Sequence, residues 1–264
     1  PQRQAHLWAK PLALTVGQGR RMSDEVKKAG LTWQTGSQQR SNQYFRVAAE
    51  FVCNGRLGKR QGITVRLPGR RGDWNQMGSQ QDPKPVPEGL NYDLWEGPVP
   101  HREYFPALLP LNWRHNWDYS GGMATDSGAH HIDIVQWALD MDESEPVTFD
   151  NIKEAVPDQK SIFVTCGSLK IEPREMARDK IKDSETWLYA SKNHYHDFID
   201  AVYSGGATVA PIEAAHRIIT VSHLANLALR LGKSGMKWDL KTEKSSDVDI
   251  NQMLTRPMRE PYRI

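Results

Sequence analysis

The stretch GGMATDSGAHHIDIVQWALDM, residues 121–141, carries the strongest pattern in this chain. Ile132, Val135 and Leu139 recur at spacings of three and four, which predicts a helix with one apolar face. Asp126 stands where this helix begins, and His130 follows it four residues later, so the two side chains share one face. The stretch therefore predicts a helix whose first turn presents a carboxylate and an imidazole together.

The spacing of Asp126 and His130 leaves their purpose open. Asp126 could hold the imidazole of His130 in one tautomer, and histidine titrates near neutrality, which suits removal of a hydroxyl proton. Alternatively, Asp126 caps the helix and His130 is a polar residue of the core. Spacing alone favours the capped helix.

A metal site is a third interpretation of the same stretch. It would use His130, His131 and Asp133, with His194 and His196 as further ligands. Adjacent histidines on a helix point about 100° apart, so both seldom bind one ion. This geometry disfavours a metal centre, and we predict none.

Composition excludes several classes of partner. The chain of 264 residues has 34 basic and 32 acidic residues and a net charge of +2, which favours neither nucleic acid nor an anionic membrane. No apolar run approaches the roughly 20 residues of a membrane span. Cys53 and Cys166 make no disulfide framework. Residues 1–16 lack a signal-peptide pattern, so we expect a cytoplasmic location, or a periplasmic one if an export signal precedes this chain.

The periodic segments are mostly helical. Thr15 and Gly30 are the predicted caps of a first helix. Further helices are predicted over 42–58, 193–206 and 210–233; strands are predicted at 31–36 and 62–68, with a hairpin over 161–171 that turns at 166–168. Residues 69–118 form a long Pro-, Gly- and Trp-rich segment, and such segments are often functional. The readable strands are few for an ordinary sheet.

Dinucleotide binding and a reactive lysine are the remaining sequence candidates. Gly17-Gln18-Gly19 is followed by Met22 where a phosphate-binding loop needs glycine, and it lies inside a helical pattern, so the chain has no dinucleotide fingerprint. Pro11 restricts Lys10 to extended geometry. On spacing alone, Lys10 is a solvated lysine.

Five segments in order resemble the Gfo/Idh/MocA oxidoreductases, in the branch of sugar and glycoside dehydrogenases. They are AKPLALTVGQGRRM (9–22), TGSQQRSNQYFRVAAEFVCNGRLGK (35–59), NYDLWEGPVP (91–100), NWRHNWDYSGGMATDSGAHHIDIVQWALDM (112–141) and APIEAAHRIITVSHLANLALRLG (210–232). The agreement spans most of the chain, which makes it more specific than any single motif.

The resemblance implies an α+β fold. Residues 1–36 would be a remnant of a Rossmann domain, and residues 37–264 a substrate and oligomerisation domain with a reduced, open, mostly antiparallel sheet packed by helices. A deletion is expected near residues 150–161. The glycine-rich half that precedes Lys10 in the family is not present in these 264 residues, and we expect a truncated form that self-associates as a homo-oligomer.

The resemblance also implies a site and a reaction. The family would use NAD or NADP to take hydride from a hydroxyl carbon of a sugar, glycoside or polyol. For this chain alone two expectations stay open, binding of that cofactor and binding of none. Ala9 replaces the glutamate that precedes Lys-Pro in the family. The implied catalytic residues are Lys10, Asp126 and His130; the substrate-binding residues are Arg40, Trp113, Arg114 and His131; the cofactor-binding residues are Lys10 and Pro11. The alternatives are a cofactor-free binding or scaffold protein, and a metal-dependent hydrolase or lyase.

Overall fold

A computed structural model describes residues 4–58, 63, 65, 82–143, 148–149, 161–165, 168–172, 175 and 178–262. Cys166, most of the predicted strand 62–68 and most of the expected deletion site lie outside the described residues. The α-helices are α1 Val16–Ala29, α2 Gln43–Cys53, α3 Tyr92–Glu96, α4 Gly122–Thr125, α5 Ser127–Ala138, α6 His194–Ser204, α7 Ile212–Leu231 and α8 Val248–Gln252. The strands are β1 Ala5–Trp8, β2 Thr32–Thr35, β3 Thr148–Phe149, β4 Ser161–Thr165, β5 Ser168–Glu172, β6 Met236–Asp239 and β7 Lys244–Ser245.

The strands form small sheets. β1 and β2 pair in parallel, from Ala5 opposite Thr32 to Trp8 opposite Thr35. β4 and β5 form the predicted antiparallel hairpin, and β3, β6 and β7 form an antiparallel sheet. In the part of the chain that the structure describes, no sheet exceeds three strands. The predicted α+β class is confirmed.

The caps of α1 agree with the sequence. The Thr15 side chain accepts a hydrogen bond from the backbone N–H of Gln18 at 3.2 Å. Gly30 ends the helix with φ of 61°, a left-handed conformation that favours glycine. Local chemistry therefore fixes both ends of this helix.

Helix α7 is the centre of the core. Its residues Ile212, Ala215, Ile218 and Ile219 are buried in one cluster with residues of α1, β2 and α5. Farther along, Leu224 and Leu227 are buried against α8 and β6. The first cluster contains residues of both predicted domains, 1–36 and 37–264. The boundary between these domains at residue 36 stays a prediction. No described helix combines the length and apolar character that crossing a bilayer requires.

Strands β1, β6 and β7 are absent from the sequence prediction. Each has four residues or fewer, too few for a clear alternation of apolar and polar side chains. Met236 and Trp238 of β6 are both 4% exposed, and their pairing partners lie in β3 and β7. β6 and β7 therefore form a partly buried hairpin that precedes α8.

A buried carboxylate joins α1 to the start of α7. Arg20 donates to both oxygens of Glu213, at 2.9 and 2.6 Å, and the Ser23 hydroxyl donates at 2.7 Å. Lys27 and Arg217 donate at 2.8 Å each. The Glu213 side chain is 5% exposed, so the charge-assisted hydrogen bonds compensate the removal of its carboxylate from water.

We expect acid to weaken the fold through Glu213. Burial alone would raise the pKa of Glu213, but hydrogen bonds from Arg20, Lys27 and Ser23 outweigh burial and hold it well below its ordinary value of 4.5. Its contribution to the free energy of unfolding is therefore complete above pH 4.5 and is lost as the pH falls toward the folded-state pKa. Glu213→Gln should lower that free energy by about 1–3 kcal/mol at neutral pH and flatten its acid dependence.

Urea denaturation followed by circular dichroism measures both effects. Glu25→Gln is the matched control, because the Glu25 side chain is 60% exposed and 3.8 Å from Lys28. Equal acid dependence in the wild type and Glu213→Gln would contradict the assignment.

Candidate active site

Lys10 reaches the start of α5 from the end of β1. The backbone N–H of Gly36 donates to the carbonyl of Trp8 at 2.8 Å and holds the chain just before Lys10. The Lys10 Nζ contacts Oδ1 of Asp126 and donates to the backbone carbonyl of Asp126 at 2.7 Å. Each side chain is 19% exposed. The fold therefore brings together two predicted catalytic residues that are 116 positions apart.

Asp126 lies before α5 but does not cap it. The structure shows no capping hydrogen bond from its side chain. Its Oδ1 contacts Lys10 and its Oδ2 lies 3.8 Å from Nε of Arg114. The Arg114 guanidinium lies over the Trp113 ring, 4.8 Å from the centroid. The capping interpretation of Asp126 is wrong, because its carboxylate pairs with two cations from other elements.

His130 lies one turn into α5 and is half-buried. Burial, the positive charge of Lys10 and then His131 lower its pKa to about 4, although Asp126 opposes them. Nδ1 of His130 is buried and has no hydrogen-bond partner among the described residues. At neutral pH the imidazole is therefore uncharged and able to accept a proton.

Arg40 and His131 lie elsewhere. Arg40 is 2% exposed. Its Nε donates to Asp133 at 2.7 Å, and its two terminal nitrogens donate to Asp142 at 2.7 and 2.6 Å. The His131 ring packs toward Phe45 of α2 at a centroid distance of 6.5 Å. Both residues join elements of the core, and their predicted contact with substrate gains no support from these contacts.

His194 is a neighbour of the site that sequence reasoning considered only as a metal ligand. Its Nε2 lies 2.9 Å from the carbonyl of Thr35, and its Nδ1 lies 3.1 Å from the Ser41 hydroxyl. It also acts electrostatically on His130. Because a carbonyl only accepts, Nε2 carries the proton, and the ring ties the start of α6 to the end of β2. The sequence signal for this position is Asn193, a residue type that favours the cap of a helix and so places His194 at the start of α6.

The described residues offer no set of ligands for the metal site considered above. Among the residues that the structure describes, no group of three or more His, Cys, Asp or Glu side chains converges. Two surface cavities, of about 440 and 720 Å³, lie beside α2 and beside α1. Lys10, Asp126 and His130 line neither of them.

The glycines of α1 are used for packing. A Cβ on Gly17 would lie 2.5 Å from the Thr255 methyl group, and a Cβ on Gly19 would lie 2.8 Å from Nδ1 of His216. The N–H groups of Gly17 and Gly19 donate to carbonyls of Leu254 and Thr15. These glycines therefore do not form a cradle for a pyrophosphate, as the missing third glycine predicts. Lys10 and Pro11 stay predicted contacts of the reactive end of a nicotinamide cofactor.

We expect Gly19→Ala to destabilise the fold without a specific effect on nucleotide binding. The added methyl group forces His216 or α1 to move, and overpacking of this kind costs about 1–3 kcal/mol. Thermal unfolding and titration with NAD and NADP measure the two quantities. Gly206→Ala is the control, since its Cβ would meet only the Ser204 hydroxyl, at 3.1 Å. A loss of nucleotide affinity at unchanged stability would instead indicate a phosphate-binding loop.

Comparison with known protein families identifies the class of protein to which part of this chain is similar. Residues 47–169 match the model described as "Oxidoreductase family, C-terminal alpha/beta domain". Residues 47–169 therefore belong to the Gfo/Idh/MocA oxidoreductase family and correspond to its C-terminal α/β domain. The family prediction made from the sequence is confirmed. No curated protein matches the chain by sequence.

One solved structure agrees at the level of the fold. An NAD-binding protein from Listeria innocua is 12% identical, with a TM-score of 0.52, over 86% of this chain and 70% of that chain. GenD2 from gentamicin A biosynthesis, solved in complex with NAD, is 13% identical with a TM-score of 0.44, over 86% of this chain and 70% of that one. At these identities the likeness to the Listeria protein concerns the fold alone.

Proposed function

We propose that this chain carries the substrate half of an NAD(P)-dependent oxidoreductase that oxidises a hydroxyl group of a sugar, glycoside or polyol. The contact of Lys10 with Asp126, one helical turn before a neutral His130, carries this proposal. The confirmed family and the NAD-binding description of the Listeria innocua protein support it.

The three side chains have distinct parts in the proposed reaction. His130 accepts the hydroxyl proton, because its depressed pKa keeps the ring neutral at working pH. Lys10 donates a hydrogen bond to the reacting oxygen and stabilises negative charge that develops there. Asp126 holds the Lys10 ammonium in place. A bound nicotinamide would accept the hydride from the same carbon.

His130 also has a protonation requirement that can be measured. The proton acceptor must be neutral, and its pKa is lowered to about 4. In the free protein kcat/KM should therefore fall only as the pH drops toward 4, well below the usual histidine range. A midpoint between 6 and 7, near the ordinary value of 6.5, would contradict the buried, neutral state.

Cofactor binding decides between this function and the cofactor-free scaffold. We expect NAD or NADP to bind to the chain and to be reduced when sugars and polyols are added, as followed by absorbance of the reduced nicotinamide. Turnover of one class of sugar would support the proposal. Binding of sugars without any nucleotide binding would support the scaffold.

A further inference from the structure

Arg114 differs from Arg20, Arg40 and Arg56 in its contacts. Arg20 and Arg40 each donate two hydrogen bonds to the two oxygens of one carboxylate. Arg56 donates to Glu185 at 2.5 Å. The Nε of Arg114 instead lies 3.8 Å from Asp126, beyond hydrogen-bond distance, and its guanidinium makes no hydrogen bond within the described ranges.

The Arg114 guanidinium is nevertheless held in position. It lies over the Trp113 ring at 4.8 Å from the centroid, and its side chain is 33% exposed. A stacked guanidinium loses little freedom when it binds a planar partner, since its donors are already oriented. Arg114 therefore offers a prepared fork of N–H donors beside Asp126.

Among the described ion-pair partners of Asp126, positive charges outnumber negative ones. Lys10 and Arg114 contribute two positive charges, and Asp126 contributes one negative charge. His130 is neutral at working pH. A half-buried group of side chains with one excess positive charge favours a ligand with one negative charge, because opposite charges attract strongly where water is partly excluded.

We propose that the site selects a sugar acid, a polyhydroxy compound whose carboxylate is bound by Arg114 while its hydroxyl group lies at Lys10 and His130. This inference rests on the proposed function and specifies its substrate class. A guanidinium binds a carboxylate through two parallel hydrogen bonds, which gives both affinity and orientation. A neutral polyol offers the Arg114 donors no carboxylate at hydrogen-bond distance.

Calorimetric titration of the chain with D-gluconate and with D-glucitol tests the selection, because the two differ chiefly by the carboxylate. We expect gluconate to bind at least about tenfold more tightly, as hydrogen bonds between charged groups imply. Arg114→Gln should remove most of that preference without altering the affinity for glucitol, and Arg114→Lys should restore part of it. Arg21→Gln, at an exposed position of α1, should leave both affinities unchanged.

Two further ligands test whether the site prefers a phosphate to a carboxylate. Inorganic phosphate and D-glucitol 6-phosphate report whether the fork prefers a phosphate; tighter binding of either than of gluconate would overturn the carboxylate assignment. Equal binding of gluconate and glucitol, an equal effect of Arg114→Gln on both, or binding of neither would also overturn it.

The turnover assay separates the two levels of the proposal. Oxidation of glucitol as fast as of gluconate, unaffected by Arg114→Gln, would reject the sugar-acid inference and leave the oxidoreductase function standing. Arg114-dependent binding of gluconate without reduction of NAD or NADP would reject the oxidoreductase function while supporting the anion-binding site.

Discussion

Replacing His130 with alanine is expected to lower kcat for sugar or polyol oxidation by about 10²–10⁴-fold, the usual contribution of a positioned general base. The fold should survive, because His130 is half-buried and its Nδ1 has no hydrogen-bond partner among the described residues. The loss should be larger in kcat than in KM, since proton removal contributes in the transition state rather than in the bound ground state.

Steady-state kinetics, with circular dichroism as a check on folding, measure this prediction. His196→Ala is the control: it removes an exposed imidazole from α6, and its turnover should equal that of the wild type. Unchanged turnover in His130→Ala would refute the assigned role. Rescue of His130→Ala by added imidazole would strengthen it, because a small base can then take the same proton.

Replacing Arg40 with methionine is expected to lower the free energy of unfolding by about 3–5 kcal/mol, since it leaves a buried carboxylate without its counter-ion. Asp133 is fully buried and Arg40 is 2% exposed. Burial alone would lower the pKa of Arg40, but the carboxylates of Asp133 and Asp142 outweigh it and keep the guanidinium charged. The indole of Trp137 covers the guanidinium at 5.3 Å from the ring centroid.

Urea unfolding of a short series of variants tests this account. Arg40→Met combined with Asp133→Leu should recover much of the loss, because the unpaired buried charge is gone. The free energy of unfolding of Arg40→Lys should lie between those of the wild type and Arg40→Met, since an ammonium keeps the charge but lacks the planar guanidinium that contacts two carboxylates. A loss below about 1 kcal/mol in Arg40→Met, the range of an exposed ion pair, would show that the network contributes little.

Much of the helical framework follows from local sequence. The helices around α1, α2, α5, α6 and α7 were predicted from apolar spacing, and their ends from Thr15, Gly30 and Gly205. These signals are readable because a cap acts within one turn of the chain. The hairpin of β4 and β5 was readable for the same reason, since its two strands are adjacent in sequence.

The short strands were not readable in this way. In sequence, helix α1 separates β1 from its partner β2, and most of the C-terminal part of the chain separates β3 from its partner β6. Strands this short gain their stability from distant partners and from burial, so their own sequence pattern is weak. Of the strands with four residues or fewer, only β2 was predicted.

The sequence by itself placed Asp126 and His130 on one face of one helix, because a helical repeat fixes which residues share a face. It could not decide between a cap and a catalytic pair. The tertiary structure excludes the side-chain cap, because Lys10 and Arg114 come from distant segments to the Asp126 carboxylate; the catalytic pair stays a proposal. The tertiary structure also turned Arg40 inward to Asp133 and Asp142. A charge finds its partner through the packing of whole elements, and that packing depends on the entire chain.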